Sequence, residues 1–413
     1  MKATVAIAMA CDTKGEEARF LKEKIIEFGA DALLIDVGIR GTAKGVVPDI
    51  TRWQLAEQYG RTTMETVCSM KSRGEAMDMV NASLTACLNR LYREGKINGV
   101  CALGGAGSMS MTASAMQSLP YGVPKMLAST LASGHRQFEP FVGSADMIVM
   151  YPITDVCGLN WISKMMFENI AAAMVGMCNM AKAVQHGREE KKKERCIGVT
   201  MYGQTTPGAM AAKAVLEAAG YTCLMFHANG VGGPCMEKLI KAGDLVAVLD
   251  YTLAEMVGTH IRGYTKCSPE RMTVAGSCGL PLVAAPVAMD FINILAEELQ
   301  LPENRERVYY NHNAQFPLLR TTAQEMEKLA HIAARILNAA KGPTAFVLPS
   351  MGFSMANRPG EKLWDEQADN AFRTVIRREL DRNRVKLIEY SGNLNDEACG
   401  QLAAQTLLCL LES

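Results

Sequence analysis

Short apolar runs, each ending in a polar or glycine-bearing turn and followed by an amphipathic stretch, recur along the chain. "ATVAIAMA" (3–10) leads into "TKGEEARFLKEKIIEFG", and "ADALLIDVG" (30–38) and "INGVCALGG" (97–105) repeat the pattern. Runs of this length read as β-strands, and their alternation with helices requires a mostly parallel sheet covered on both faces. The pattern stops at "QHGREEKKKER" (185–195), a charge run that reads as a solvated linker, and then restarts. "CIGVTMYG", "YTCLMFHA", "DLVAVLD", "LPLVAAPVAMD", "PTAFVLPS" and "RVKLIEYSG" are the strands of the second half. The expected fold is therefore α/β, with two Rossmann-like subdomains, each a parallel sheet flanked by helices. The expected boundaries are 1–184, a charged linker at 185–196, and 197–413. A length of 413 residues also exceeds what one core ordinarily serves.

Charge narrows the partners. Forty-three basic and 43 acidic side chains cancel, so neither nucleic acid nor an anionic membrane surface is expected as a partner. Thirteen cysteines, an odd number without a Cys-x-x-Cys pair, read as free thiols in a reducing compartment. The most apolar region, 161–184, is interrupted by Lys164, Glu168 and Asn169, which favours a buried helix over a membrane span. The amino terminus has no signal-peptide pattern. A cytoplasmic location is the expectation.

Ligands of open parallel sheets sit beyond the carboxyl ends of the strands, so the strand-end turns supply the candidates. The first gives Asp12, Thr13 and Lys14, and the second gives Asp36, which reads equally as a ribose-binding carboxylate or a cap. The third is "GGAGSMS", with Gly104, Gly105, Gly107 and Ser108 opening a helix. Glycines there free backbone amides, and a helix amino end favours anions. Further along come Ser129, Thr130 and Gly134, then Ser144 and Asp146, then Asn160. The loop lacks the third glycine of the dinucleotide fingerprint, and no P-loop motif occurs. Asp12 beside phosphates would need Lys14 or a magnesium ion to offset its charge, which makes it the candidate metal ligand.

The second half offers a second glycine turn, "FHANGVGGPCMEKL", read as another anion cradle, and "YYNHNAQFPLLRTT". His227 and His312 are the acid–base candidates, with Arg320 as a further substrate contact. No Ser-His-Asp order or G-x-S-x-G elbow names a hydrolase.

The stretches "DTKGEEARFL", "IDVG", "ALGGAGSM", "SLPYGVPKMLASTLASG", "VGSADMIVMYPITDVCGLNWISK", "GVTMYGQTTPGAM", "FHANGVGGPCME" and "HNAQFPLLRTT" follow one another along nearly the whole chain. In them the sequence resembles the ATP-binding domain family of the tomato mosaic virus resistance protein and its bacterial relatives. That resemblance implies two α/β subdomains, ATP bound with magnesium, and a homodimer. It places the nucleotide at the glycine loop of the first subdomain, here Gly104, Gly105, Gly107, Ser108 and Met109. The chain departs from the family's Gly-Gly-Ser-Gly-Gly-Thr form: Ala106 stands for Ser and Ser108-Met109 for Gly-Thr, so position 109 lacks a hydroxyl. The plant protein carries a further C-terminal domain, whose place a separate partner is expected to take here. The expected function is ATP binding, with chemistry on a small carboxylate or sugar-acid substrate in an inter-domain cleft. A nucleotide-dependent regulatory protein without catalysis, and a lyase or hydrolase of a phosphorylated metabolite, are the alternatives.

Overall fold

The computed structural model of the chain describes residues 2–133, 139–184 and 194–412. It divides into two compact units, Met1–Lys191 and Lys192–Ser413. Most of the expected linker, 185–193, and Gly134 lie outside the described residues.

The first unit runs β1 (Thr4–Met9), α1 (Cys11–Glu27), β2 (Asp31–Asp36), α2 (Arg73–Arg93), β3 (Gly99–Gly104), α3 (Ala106–Gln117), β4 (Lys125–Ser129), β5 (Ile148–Met150) and α4 (Trp161–Ala183). The five strands are parallel in the order β2-β1-β3-β4-β5. Strand alternation sorts the side chains into two cores. Val5, Ile7 and Met9 pack with Leu21 and Ile25 of α1 and with Phe167, Ile170 and Met174 of α4. Ala6 and Ala8 face Leu84 and Leu88 of α2 and Met109 and Met116 of α3. Residues 161–184 thus bury one face of a helix, and no helix among the described residues is long and apolar enough to cross a membrane.

The sequence pattern over 64–95 reads as one long helix, but the structure divides it into Met64–Ser69 and α2. Ser72 accepts a hydrogen bond from the Glu75 amide and starts the second helix. Between β2 and α2 the chain also makes a short helix, Arg52–Gln54, and a π-helical turn, Leu55–Tyr59.

The second unit runs β6 (Cys196–Met201), α5 (Thr206–Ala218), β7 (Thr222–His227), α6 (Gly232–Ala242), β8 (Ala247–Thr252), α7 (Ala254–His260), β9 (Leu282–Val287), β10 (Phe291–Asn293), β11 (Tyr309–Asn311), β12 (Pro317–Arg320), α8 (Ala323–Asn338), β13 (Thr344–Pro349), α9 (Glu366–Glu379), β14 (Val385–Tyr390) and α10 (Glu397–Glu412). Its six-stranded sheet is parallel in the order β7-β6-β8-β9-β13-β14. A small antiparallel sheet, β10-β12-β11, is added to it. The sequence pattern does not announce this sheet, because its strands are only three or four residues long and begin at tyrosine, phenylalanine or proline.

Both sheets share one plan: the second strand lies outside the first, and the third lies on the first strand's other side. Each unit therefore reverses its winding once, between β1 and β3 and between β6 and β8. The turns at the carboxyl ends of those pairs are where such folds receive ligands.

Candidate functional site

At the first reversal, β3 ends at Gly104 and α3 begins at Ala106, with Gly105 at the cap position. Gly104 has φ +152°, and a Cβ there would lie 2.1 Å from Ser108 Oγ, so glycine is required for the turn. Among the described residues no side chain caps this end of α3, and Ala106 is exposed. Its first amides are thus among the orphan donors of a helix amino end, with the positive end of the helix dipole behind them.

Two cations flank the turn. Lys14 Cε is 3.5 Å from where a Gly104 Cβ would be, and Arg73 Nη2 is 3.2 Å from the same point on Gly107. Lys14 interrupts α1 with non-helical angles (φ −135°, ψ 34°), and its ammonium donates to Val156 O. Thr130 Oγ1, just past β4, is 3.8 Å from a Cβ at Gly105. Arg73 is the residue that sequence reasoning missed. It opens a helix one crossover earlier, and no local motif ties it to the glycine loop.

Several expected residues are placed elsewhere or otherwise employed. Met109 is fully buried in the core, so only its backbone faces the turn's neighbourhood. Ser129 is buried, and its hydroxyl accepts from the Leu131 amide. Thr13 is exposed and donates to Ala10 O. Asn160 caps α4, accepting from the Ile162 and Ser163 amides at 2.9 and 3.0 Å. Ser144 and Asp146 precede β5 and so lie at the amino end of the sheet, opposite the glycine turn. There Asp146 pairs with Lys125 at 2.6 Å and accepts from the Gly122 amide. That position corrects their assignment to the nucleotide site.

Asp12 also needs correcting as a metal ligand. It is 7% exposed, and its Oδ2 accepts from the amides of Arg40 and Gly41 at 3.2 and 3.0 Å. It pins the loop after β2 onto α1, and Gly15 permits the contact, since a Cβ there would lie 1.7 Å from Lys44 O. A carboxylate spent on two amides and buried under that loop does not fit an open magnesium position. Among the described residues no group of three or more His, Cys, Asp or Glu could hold a metal ion. Asp36 is 1% exposed, and its Oδ1 accepts from the Cys11 and Gly38 amides at 3.0 and 2.9 Å, which makes it a cap for α1. Burial raises its pKa, with Asp12 adding to the effect, against the two amide bonds and Arg52.

The second reversal is built differently. Where the first unit places its glycine turn after the third strand, the second places Thr252, Leu253, Ala254 and Glu255. Glu255 Oε1 accepts from the amides of Gly230 and Gly233 at 3.0 and 3.1 Å. The second glycine loop therefore already holds an anion of its own, which corrects its reading as a ligand cradle. Arg271, fully buried, donates to Glu255 Oε2 at 2.6 Å and to both oxygens of Asp250 at 2.6 and 2.7 Å. Glu237 stands as a third carboxylate, 3.6 Å from Arg271. Burial outweighs the nearby guanidinium and pushes the Glu237 pKa up to about 7.

His227 and His312 both reach the turn after β6. The His227 ring stacks on Tyr202, with centroids 5.0 Å apart, and His312 Nε2 is 3.9 Å from where a Gly203 Cβ would be. The Tyr202 hydroxyl donates to Asn293 Oδ1 at 2.9 Å, and its pKa is pushed up to about 12, chiefly by burial. Arg320 does not join them. It is 5% exposed and donates to Asp369 Oδ1 and Asp290 O, so it is a buried structural cation rather than a substrate contact.

Residues 3–183 match the N-terminal domain of the Uncharacterised protein family (UPF0261), and residues 194–411 match its C-terminal domain. A UPF0261 protein of Clostridium tetani is 36% identical over 412 residues, covering all of both chains. The ToMV resistance protein Tm-1(GCR237) of Solanum lycopersicum is 33% identical over 92% of this chain, and the match takes up 52% of the tomato protein. This chain thus spans about half the tomato protein's length. Among solved structures, a UDP-GlcNAc 2-epimerase from Neisseria meningitidis aligns with 68% of this chain and 82% of its own at 9% identity. Its TM-score is 0.22, too slight a likeness to argue from. With both domain matches in chain order and a full-length relative above one-third identity, the chain belongs to the UPF0261 family.

Proposed function

We propose that the first unit binds the phosphates of a nucleotide, ATP being the expected one, at the amino end of α3. The carrying observation is the uncapped helix start at the sheet's reversal, with Lys14 beside Gly104 and Arg73 beside Gly107. Backbone amides, a helix dipole and two cations together favour a polyanion. The resemblance of the glycine-loop stretches to an ATP-binding domain family supports ATP over other phosphate esters. Magnesium would arrive with the triphosphate, since Asp12 is already engaged.

Catalysis is a second reading, favoured by one observation: two imidazoles and a fixed phenol gather at the turn after β6. Histidines are suited to move protons near neutral pH, and here they would act on a small carboxylate or sugar acid. A lyase or hydrolase working through the second glycine loop loses its motive, because Glu255 fills that loop.

Calorimetry of the full chain with Mg-ATP and with tripolyphosphate tests the phosphate site. Both bind the wild type, and Arg73→Gln weakens both by about tenfold, or roughly 1.4 kcal/mol. No heat from either ligand on the folded wild type would overturn the reading.

A further inference from the structure

A buried chamber beside the carboxyl end of β2 is lined by Asp36, Val37, Arg52, Leu55, Met64 and Val67, among others. Two of its wall residues carry opposite charge and leave polar atoms unsatisfied. Asp36 Oδ2 has no hydrogen-bond partner, nor do Arg52 Nε and Nη1. Both residues are more than nine-tenths buried, at 1% and 8% exposure. The Arg52 guanidinium lies over the Trp53 ring, its carbon 4.3 Å from the ring centroid. Buried polar atoms are almost always paired, so two charged side chains with orphaned atoms in one chamber mark the place of a missing partner.

The chemistry of that partner follows from the pair. It must accept from a guanidinium and donate to a carboxylate. It must also be neutral, because an anion would face Asp36 and a cation would face Arg52. A hydroxyl meets all three conditions. The remaining walls are apolar apart from Gly38 and Ser83, and the Ser83 hydroxyl already donates to Met79 O. The cavity volume is about 10 Å³, room for one water molecule or one hydroxyl. One hydroxyl therefore fits as it stands. The chamber wall includes Leu55 and Ala56 of the π-helical turn Leu55–Tyr59, an arrangement often found at functional sites.

We propose that Arg52 and Asp36 bind a sugar hydroxyl of the ligand whose phosphates sit at α3. The ligand class follows as a nucleotide or sugar phosphate, a step that rests on the phosphate reading. Strands β2 and β3 lie on either side of β1, so their carboxyl ends are roughly 10 Å apart, about the span from a sugar to its phosphates.

The test is calorimetry of the full chain with Mg-ATP, Mg-2′,3′-dideoxy-ATP, tripolyphosphate and adenosine. ATP should bind wild type at least about tenfold more tightly than either dideoxy-ATP or tripolyphosphate. Arg52→Gln should abolish that advantage and leave tripolyphosphate unchanged. Val67→Phe, which fills the chamber from its apolar wall and keeps both charges, should do the same, with thermal melts showing that each variant folds. Adenosine binding that both variants remove supports the chamber even if tripolyphosphate gives no heat, a result that would overturn only the phosphate reading. Equal binding of ATP, dideoxy-ATP and tripolyphosphate, insensitive to both variants and with no adenosine binding, overturns the inference. The chamber then holds an ordered water only.

Discussion

Arg271 Nε donates to Glu255 Oε2 at 2.6 Å, and neither side chain reaches solvent. The same Glu255 carboxylate accepts from two amides of the glycine loop, so one ion pair joins the core of the second unit to its surface turn. Glu255→Ala leaves Arg271 short of a partner and the Gly230 and Gly233 amides without an acceptor. Breaking a buried pair from one side costs about 3–5 kcal/mol. Urea denaturation should show a loss of that order, and a loss under about 1 kcal/mol would mean that the pair contributes little.

Glu237 gives the second unit a pH dependence. Its pKa in the folded chain is about 7, against 4.5 for an ordinary glutamate. Between those values the folded state holds a proton that the unfolded state has released, so stability falls as pH rises through the interval. Asp369 behaves alike, burial lifting it from 3.8 to about 7 despite Arg320. Melting temperature measured across pH 4.5 to 7 should decline with rising pH from these two groups, and Glu237→Gln should flatten part of the slope. An unchanged slope in that variant would count against a protonated Glu237.

Helices α5 and α10 meet backbone to backbone. A Cβ on Gly400 would lie 1.9 Å from Gly208 O, and one on Gly208 would lie 2.5 Å from Tyr251 Oη. Gly400→Ala must push the helices apart, an overpacking cost of about 1–3 kcal/mol, read as a drop in melting temperature. Gly220→Ala makes a useful comparison: nothing lies near its Cβ position, and its positive φ alone sets the cost.

His227 and His312 are both exposed. Asn substitutions at either position should change unfolding free energy by no more than about 0.5 kcal/mol. Any turnover the protein has would fall without loss of folded protein, which activity and melting assays on the same samples would separate. Full activity in the double variant would remove these residues from the chemistry.

The fold was legible because its signals are local. Apolar runs such as Val5–Met9 and Ala247–Leu249, followed by turns and amphipathic helices, force parallel sheets. The glycine turn at 104–108 was legible for the same reason. What stayed hidden depended on partners distant in sequence. Asp12 reads as a metal ligand in the sequence, and only the fold brings the Arg40 and Gly41 amides onto it; one oxygen of Asp36 is likewise taken by the Cys11 and Gly38 amides. Arg320 read as a substrate contact, and only the fold brings Asp369 to it. The second glycine loop read like the first, and its difference lies in Glu255, more than twenty residues downstream. Arg52 had no motif at all, and its unsatisfied nitrogens become visible only in the folded chamber.

The carboxylate inside the second glycine loop also limits what this lineage can become. A phosphate arriving there would have to evict Glu255, stranding a guanidinium that no water reaches. Changes confined to the loop cannot open that berth; redesign would have to start in the interior, replacing Arg271 and its acidic neighbours together.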